Sequence, residues 1–505
     1  MSQTEMTEEI RKRIDQYGAE VDRLSIGGEY DKLKLLIDEM EQAKNADEEI
    51  KRDAAFNYYL GTACGAYSDQ LVRSGKNHTD SDVIVLRRTS MYYLRKGLAS
   101  YDPSIHTDPR AQLRILTNYA NGLDTAGRVI EALRIYRKVL TINEHFSIAR
   151  GNYGRALQFL ANMVNDDGHY KVLHCYAYQA VKKALSIDDP DMHEQAIAAF
   201  QHIVNQYEAS PSRNILAEPI VNKEYELGKT AEEKEYRTWC LRNHLFLNPL
   251  NEVVERDSAF AHDPLTIITY TEDIHASDSV SGNPVEPPRW FAMLNQLKEE
   301  YVYARYLCYE GTEKYGEVHF ADKDVNLSLA SYDYVNYSIR IEQLKSSFRI
   351  SYSLLDQICF FVNEFWKFGL NERDADAYHI CKKLSTPQDN IVLMALYWVL
   401  CEFFEKYGEA ETASEKDLAV LRNALEHKYV KVHEYEWKKA LKIERDSFYH
   451  VSENDLREHT MRLLELTREA LMYLVYAIGV EESKKENTDK SVPMPLTVFL
   501  DEWKL

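Results

Sequence analysis

Apolar residues recur every three to four positions through most of this chain, the spacing of one helix face rather than the alternation of a strand. The pattern is clearest between Leu116 and Val139. Leu116, Tyr119, Ala120 and Leu123 line one predicted helix; Ala132, Tyr136 and Val139 line the next, after a turn at Gly127. The small Ala120 lets the second helix approach the first closely. Shifted by 34 residues, the first face recurs as Arg150, Tyr153, Gly154 and Leu157. Its partner comes late, as Ala177, Val181 and Ala184 before Ser186-Ile187-Asp188-Asp189-Pro190, behind an insertion at Asn165-Asp166-Asp167-Gly168. Upstream, Leu60, Gly61 and Cys64 predict one helix and Ser90, Leu94 and Gly97 another, stopped by Tyr101-Asp102-Pro103.

This period and its alternation of small and large residues resemble the tetratricopeptide repeat. The resemblance covers roughly residues 50–250 and is most specific at 113–190. An irregular helical bundle is the other reading of the same pattern. Repeat stacks expose a concave face, so the resemblance implies a docking surface for a protein, peptide or nucleic acid. The periodicity breaks at Asn248-Pro249-Leu250, and Ser277-Asp278-Ser279-Val280-Ser281-Gly282-Asn283-Pro284 is too rich in breakers for a helix. The expected organisation is repeats at 1–250, a linker at 251–288, a second helical domain at 289–482 and a tail at 483–505. The tail ends in apolar Phe499 and Trp503, expected to dock back on that domain.

In the second domain helices are predicted near 290–311, 338–368, 374–384, 390–407, 415–430 and 455–480. The stretch from Leu344 to Ile358 has the stripe of a core-facing helix, and Ile391 to Phe404 is almost continuously apolar, as a buried central helix should be. Residues 432–454 mix aromatic and charged residues without a period and read as an irregular excursion.

Composition narrows the function classes. Gly at 19 and Pro at 13 are few for 505 residues, which favours long helices. No run approaches the 18 apolar residues of a membrane span, and the start lacks a signal peptide's basic and apolar regions, so a cytoplasmic chain with no membrane partner is expected. Seven scattered cysteines without a Cys-x-x-Cys pair predict small buried hydrophobes. No Gly-x-x-x-x-Gly-Lys-Ser/Thr loop supports nucleotide hydrolysis. A net charge of −20 argues against a general nucleic-acid coat. Locally the sign reverses: residues 422–445 carry seven Lys or Arg against four Glu, a net +3. A solvated mixed-charge face is the plain reading and a local RNA site the pointed one.

That window begins with Leu421-Arg422-Asn423-Ala424-Leu425-Glu426-His427-Lys428-Tyr429-Val430. Arginine holds a phosphate with a fork of donors, and histidine moves a proton near neutral pH. The segment and the helices around it, about 290–482, resemble the HEPN superfamily. Its ribonuclease signature is an arginine, a polar residue after it, and a histidine after four to six intervening residues. The resemblance extends to the branch in which such a domain follows tetratricopeptide-like repeats. It implies an all-α fold, with a helical repeat array followed by an HEPN-like bundle. It also implies a metal-independent endoribonuclease without a cofactor, acting on RNA in phage defence or as a toxin, restrained until signalled by a trigger on the repeats. The implied catalytic residues are Arg422, Asn423 and His427, with Lys428 and Lys431 holding substrate.

The spacing alone is common. It occurs at Arg73/His78, Arg237/His244, Arg256/His262, Arg373/His379, Arg422/His427 and Arg445/His450, and a polar Asn or Asp follows the arginine in the last four. Arg422/His427 is distinguished by following the apolar central helix within the apolar frame of Leu418, Val420, Leu421 and Leu425. Arg373/His379 and Arg445/His450 stay open. Asn423 and His427, four apart, share a helix face, whereas Arg422, five from the histidine, points about 140° away on a continuous helix. Either a helix start near Arg422 bends the chain, or two protomers pool their residues, as HEPN nucleases do. A homodimer through this domain is therefore expected. Glu426 is an exposed helix residue or tunes the histidine; His433 lacks a third ligand for a metal. Tyr429, Tyr435 and Tyr449 pack locally or stack on unpaired bases. The competing function is a non-catalytic scaffold or RNA-binding regulator.

Overall fold

The computed structural model describes residues 3–103, 108–209, 227–253, 260–268, 270–271, 289–314, 318–325, 335–385, 389–403, 416–434, 447–484 and 492–493. The breaker-rich stretch 277–288, Arg256, Arg445, Tyr435, and Phe499 and Trp503 of the tail lie outside these residues. The fold is all-α, and among the described residues the strands form two small pairs. Among the described residues no helix is long and apolar enough to cross a membrane.

Among the described residues, eleven α-helices precede residue 243: α1 (Gln3–Gly27), α2 (Tyr30–Ala46), α3 (Glu48–Arg52), α4 (Ala54–Arg73), α5 (Ser81–Ser100), α6 (Ala111–Thr125), α7 (Val129–Ile142), α8 (Ser147–Ala161), α9 (Asp167–Leu185), α10 (Glu194–Ala209) and α11 (Ala231–Arg242). Neighbours in sequence pack as pairs, α4 on α5, α6 on α7 and α8 on α9. Small residues set how close they come. Ser90 Oγ of α5 donates to Gly61 O of α4 at 2.6 Å. A Cβ at Gly154 of α8 would lie 2.8 Å from the Ala177 carbonyl oxygen of α9 and 2.6 Å from a Val181 methyl. The turn residue Gly127 has φ +84°, which a side chain rarely adopts, and its backbone lies against Ile391 and Ala395 of the second half.

The second half contains α12 (Arg289–Glu313), α13 (Ile339–Phe365), α14 (Ala377–Leu384), α15 (Ile391–Cys401), α16 (Lys416–His427) and α17 (Glu453–Ser483). Tyr270–Thr271 (β1) pairs antiparallel with Val492–Pro493 (β4); Tyr429–His433 (β2) pairs in parallel with Phe448–Ser452 (β3). Two sequence expectations are corrected by β2 and β3. The helix predicted to reach residue 430 stops at His427, and the excursion at 432–454 contains a strand. The reason is side-chain shape: Val430, Val432, Tyr449 and Val451 are β-branched or aromatic, and they fit a pleated ribbon better than a helix turn. Ser452 ends β3 and caps α17, its Oγ accepting from Asp455 N at 3.0 Å.

α17 is the pillar. It packs on α12, α13 and α15, and along its length it also touches the first half. One continuous hydrophobic cluster runs from Ile84 to Ile478, while a smaller one joins α1 to α4 with Tyr93 of α5. All seven cysteines are buried and free. The described residues 245–253 and 260–268 are tied to the second half. Arg468 of α17 is buried and donates to Phe246 O (2.6 Å), Asn248 O (3.1 Å) and Glu252 Oε1 (2.5 Å). Arg305 of α12 grips Asp263 at 2.9 and 2.8 Å and Leu245 O at 2.9 Å.

Charges buried between α7, α15 and α17 join the halves. Arg128, fully buried, contacts Glu131, Glu402 (2.9 Å) and Glu469 (3.6 Å). Arg95 reaches Glu402 at 3.0 Å, Arg462 reaches Glu131 at 2.9 Å, and Arg134 bonds Glu465 (2.7 Å) and Glu469. The Ile130 amide donates to Tyr473 Oη at 3.0 Å. Burial pushes the Glu469 carboxyl up to about 7 despite Arg134, Arg128 and Arg462, and its Oε2 accepts no hydrogen bond. Glu131, equally buried, is held down to about 2 by Arg128 and Arg462, which outweigh its desolvation.

Two predictions follow from this packing. Gly154→Ala should cost about 1–3 kcal/mol, because α9 must retreat from the added methyl; urea denaturation reads it, and an unchanged midpoint would contradict the close approach. Glu469 has a folded pKa above the ordinary 4.5, so its stabilising share is complete below pH 4.5 and lost as pH rises through about 7. Relative to Glu469→Gln, the wild type should therefore lose about 3 kcal/mol between pH 4.5 and pH 8. A difference independent of pH would show that Glu469 is ionised throughout.

Candidate active site

α16 is short, and its burial follows its stripe: Leu418, Leu421, Ala424 and Leu425 are buried toward α13. The opposite positions hold the polar residues. Arg422 is half-buried, whereas Asn423, Glu426, His427 and Lys428 are exposed. The Arg422 guanidinium sits over the Tyr352 ring of α13, 5.3 Å from its centroid, and its Nη1 donates to Asn423 Oδ1 at 3.3 Å. Asp356, one turn further along α13, is pushed up by burial and drawn down by Arg422. Arg422 is thus steered by the ring beneath it, within the electrostatic reach of the Asp356 carboxyl.

α16 runs unbroken from Lys416, so no helix start bends the chain at Arg422. Arg422 turns to α13 while Asn423 and His427 stay exposed. His427 is the last helical residue, and the end that carries it is held from α13: Arg349 Nη2 donates to Leu425 O at 3.1 Å and Nε lies 3.9 Å from Glu426. This satisfies one of the carbonyls a helix C-terminus leaves unbonded.

β2 starts two residues after His427. Its register sets Tyr429 opposite Phe448, Val430 opposite Tyr449, Lys431 opposite His450 and His433 opposite Ser452. Both strands run from an exposed end into the core. At the buried end His433 Nε2 and His450 Nδ1 are 2.7 Å apart, so one ring donates to the other, and the ring planes differ by 10°. No third ligand joins them: among the described residues no group of three or more His, Cys, Asp or Glu could hold a metal. Burial raises the Tyr449 phenol, and Lys431 lies over the Phe448 ring, 4.1 Å from its centroid.

Residues 281–481 match the LA2681-like HEPN family. The C-terminal helical domain is therefore of the HEPN type. No curated protein and no solved structure matches the chain.

Within the HEPN domain and outside it, the other Arg/His spacings have local work. His78 is bonded to Arg87 at 2.9 Å. His244 lies between Arg137 (2.7 Å) and Asn251 O (2.6 Å), and burial lowers it to about 4. His379 closes on Asp376, the cap of α14, at 2.8 Å. Arg256 and Arg445 lie outside the described residues. Among the pairs whose residues are all described, only the Arg422 pair sets a half-buried, steered arginine on one helix with an exposed histidine.

Sequence reasoning missed Arg349, Tyr352 and Asp356. They lie three and seven positions apart, one polar stripe on a helix otherwise read as core-facing. That stripe was the available signal. If Arg349 anchors the end of α16, Arg349→Met should speed hydrogen exchange of the 424–428 amides about tenfold and leave those of α17 unchanged. Equal protection in both proteins would remove Arg349 from this role.

Proposed function

We propose that the chain is a regulated, metal-independent endoribonuclease, with its HEPN domain cutting RNA and its helix pairs serving as sensor or docking surface. The observation that carries this reading is an exposed His427 and Asn423 on the same short helix as a steered Arg422, inside a domain matching an HEPN family. His427 takes the proton of a ribose 2′-hydroxyl as the 2′-oxygen attacks phosphorus. The phosphorus to 5′-oxygen bond breaks, the leaving oxygen takes a proton from water, and a 2′,3′-cyclic phosphate remains. Arg422 neutralises charge building on the phosphoryl oxygens, and Asn423 orients the histidine or a phosphate oxygen. Lys428 and Lys431 hold flanking phosphates. DNA lacks the attacking hydroxyl and stays intact.

Arg422 and His427 diverge on an unbent helix, which favours a homodimer whose cleft takes the arginine from one protomer and the histidine from its partner. The buried charges that tie the helix pairs to α17 give a signal received on the repeats a rigid route to the domain that cuts. Such a restrained nuclease suits a toxin-like or antiviral role.

The test uses the full chain, single-stranded RNA and EDTA. Wild type should release cyclic-phosphate ends, and His427→Ala should lose about a thousandfold or more of the rate. No cleavage by wild type, with EDTA or magnesium, would leave a non-catalytic RNA-binding scaffold as the function. Mixing equal amounts of His427→Ala and Arg422→Ala should restore about a quarter of wild-type activity, since half the dimers carry one intact composite site of two. No restoration would locate the whole site in one protomer.

A further inference from the structure

We infer that the exposed end of the β2/β3 ribbon is a stacking subsite for an unpaired nucleobase, which makes single-stranded RNA the substrate class of the adjacent site. The inference rests on the ribonuclease reading above for its position and on separate observations for its chemistry. Tyr429 is 74% exposed and Phe448 40%, yet the parallel register sets them side by side, with ring centroids 5.8 Å apart and planes tilted by 44°. A cross-strand aromatic pair steadies a ribbon, but steadying does not require a tyrosine ring with three quarters of its surface in water. The pair is also set among cations: Lys431 Nζ lies 4.1 Å from the Phe448 centroid, and Lys428 is the exposed residue before Tyr429.

In a chain of net charge −20, cations around an exposed aromatic pair match a ligand that is anionic along its backbone and flat in its side groups. Single-stranded nucleic acid is that ligand. Every base has a π face, so the subsite tolerates any sequence, whereas a duplex keeps its bases stacked on one another and offers none. Tyr429 is two residues from His427, so a base held there belongs to a nucleotide near the one whose phosphate is attacked. Stacking does not use the 2′-hydroxyl. Single-stranded DNA therefore occupies the subsite without being cut.

The test measures binding apart from cleavage. In full-length His427→Ala, a fluorescein-labelled single-stranded oligoribonucleotide is titrated and its anisotropy followed. Adding Tyr429→Ala or Phe448→Ala should weaken binding roughly ten- to hundredfold, while Tyr429→Phe, which keeps the ring, should bind like its parent. Unlabelled single-stranded DNA should compete, and duplex RNA of the same length should bind weakly and be indifferent to Tyr429→Ala. In the active protein Tyr429→Ala should raise KM more than it lowers kcat. Unchanged binding in both alanine variants overturns the subsite, even if the wild type cuts RNA normally. So does a Tyr429→Ala protein that falls from dimer to monomer on size exclusion, because the face then belongs to a second copy of the chain. Ring-dependent RNA binding by a wild type that never cuts upholds the subsite and sinks the nuclease reading instead.

Discussion

The two halves of this molecule share one set of buried charges, and the rest of the architecture is arranged around keeping them dry and paired. Arg128 has no exposed surface and faces Glu131 of α7, Glu402 at the end of α15 and Glu469 of α17. Taking such groups from water costs several kcal/mol each, recovered only when geometry and pairing are good. A small shift of α7 against α17 would leave a charge unpaired, so the halves have one relative position that is tolerable and few near it. Oil-like packing alone would allow them to slide. Glu469, whose carboxyl rises to about 7, is the member where burial outweighs pairing.

The same helix that holds these charges positions the candidate chemistry. α17 begins where β3 ends, and β3 holds β2, which leaves α16 immediately after His427. α13 supplies the other support, through Arg349 under the helix end and Tyr352 under Arg422. A site on a short helix is thereby fixed by two long ones. The charges that lock the helix pairs to α17 and the strands that carry Tyr429 are parts of one connected frame.

Much of the fold was legible in the sequence because helix periodicity is a local property. The paired faces of Leu116–Leu123 and Ala132–Val139 became α6 and α7, with Gly127 in the turn, and the late partner of Gly154 became α9. The helices of the second half were legible for the same reason. The parallel ribbon was not. Strands of five residues carry too few alternations to stand out, and parallel pairing joins segments separated by a crossover, so neither Tyr429–His433 nor Phe448–Ser452 announces its partner. Of the site, Arg422, Asn423 and His427 could be singled out by their setting, whereas Arg349 and Asp356 looked like polar relief on a core helix.

The sequence by itself determined the helices, the place where the grammar changes near residue 250, the HEPN resemblance and the divergence of Arg422 from His427, since each depends on residues close in the chain. Only the tertiary structure decided what lies across from them. Buried arginines 128, 305 and 468 look on paper like any surface charge, and their carboxylate partners lie from three to more than two hundred residues away. The exposed Tyr429 acquired its neighbour Phe448 in the same way, through a strand register no local pattern encodes. Periodicity is written in the chain one turn at a time; burial and pairing exist only once distant segments have met.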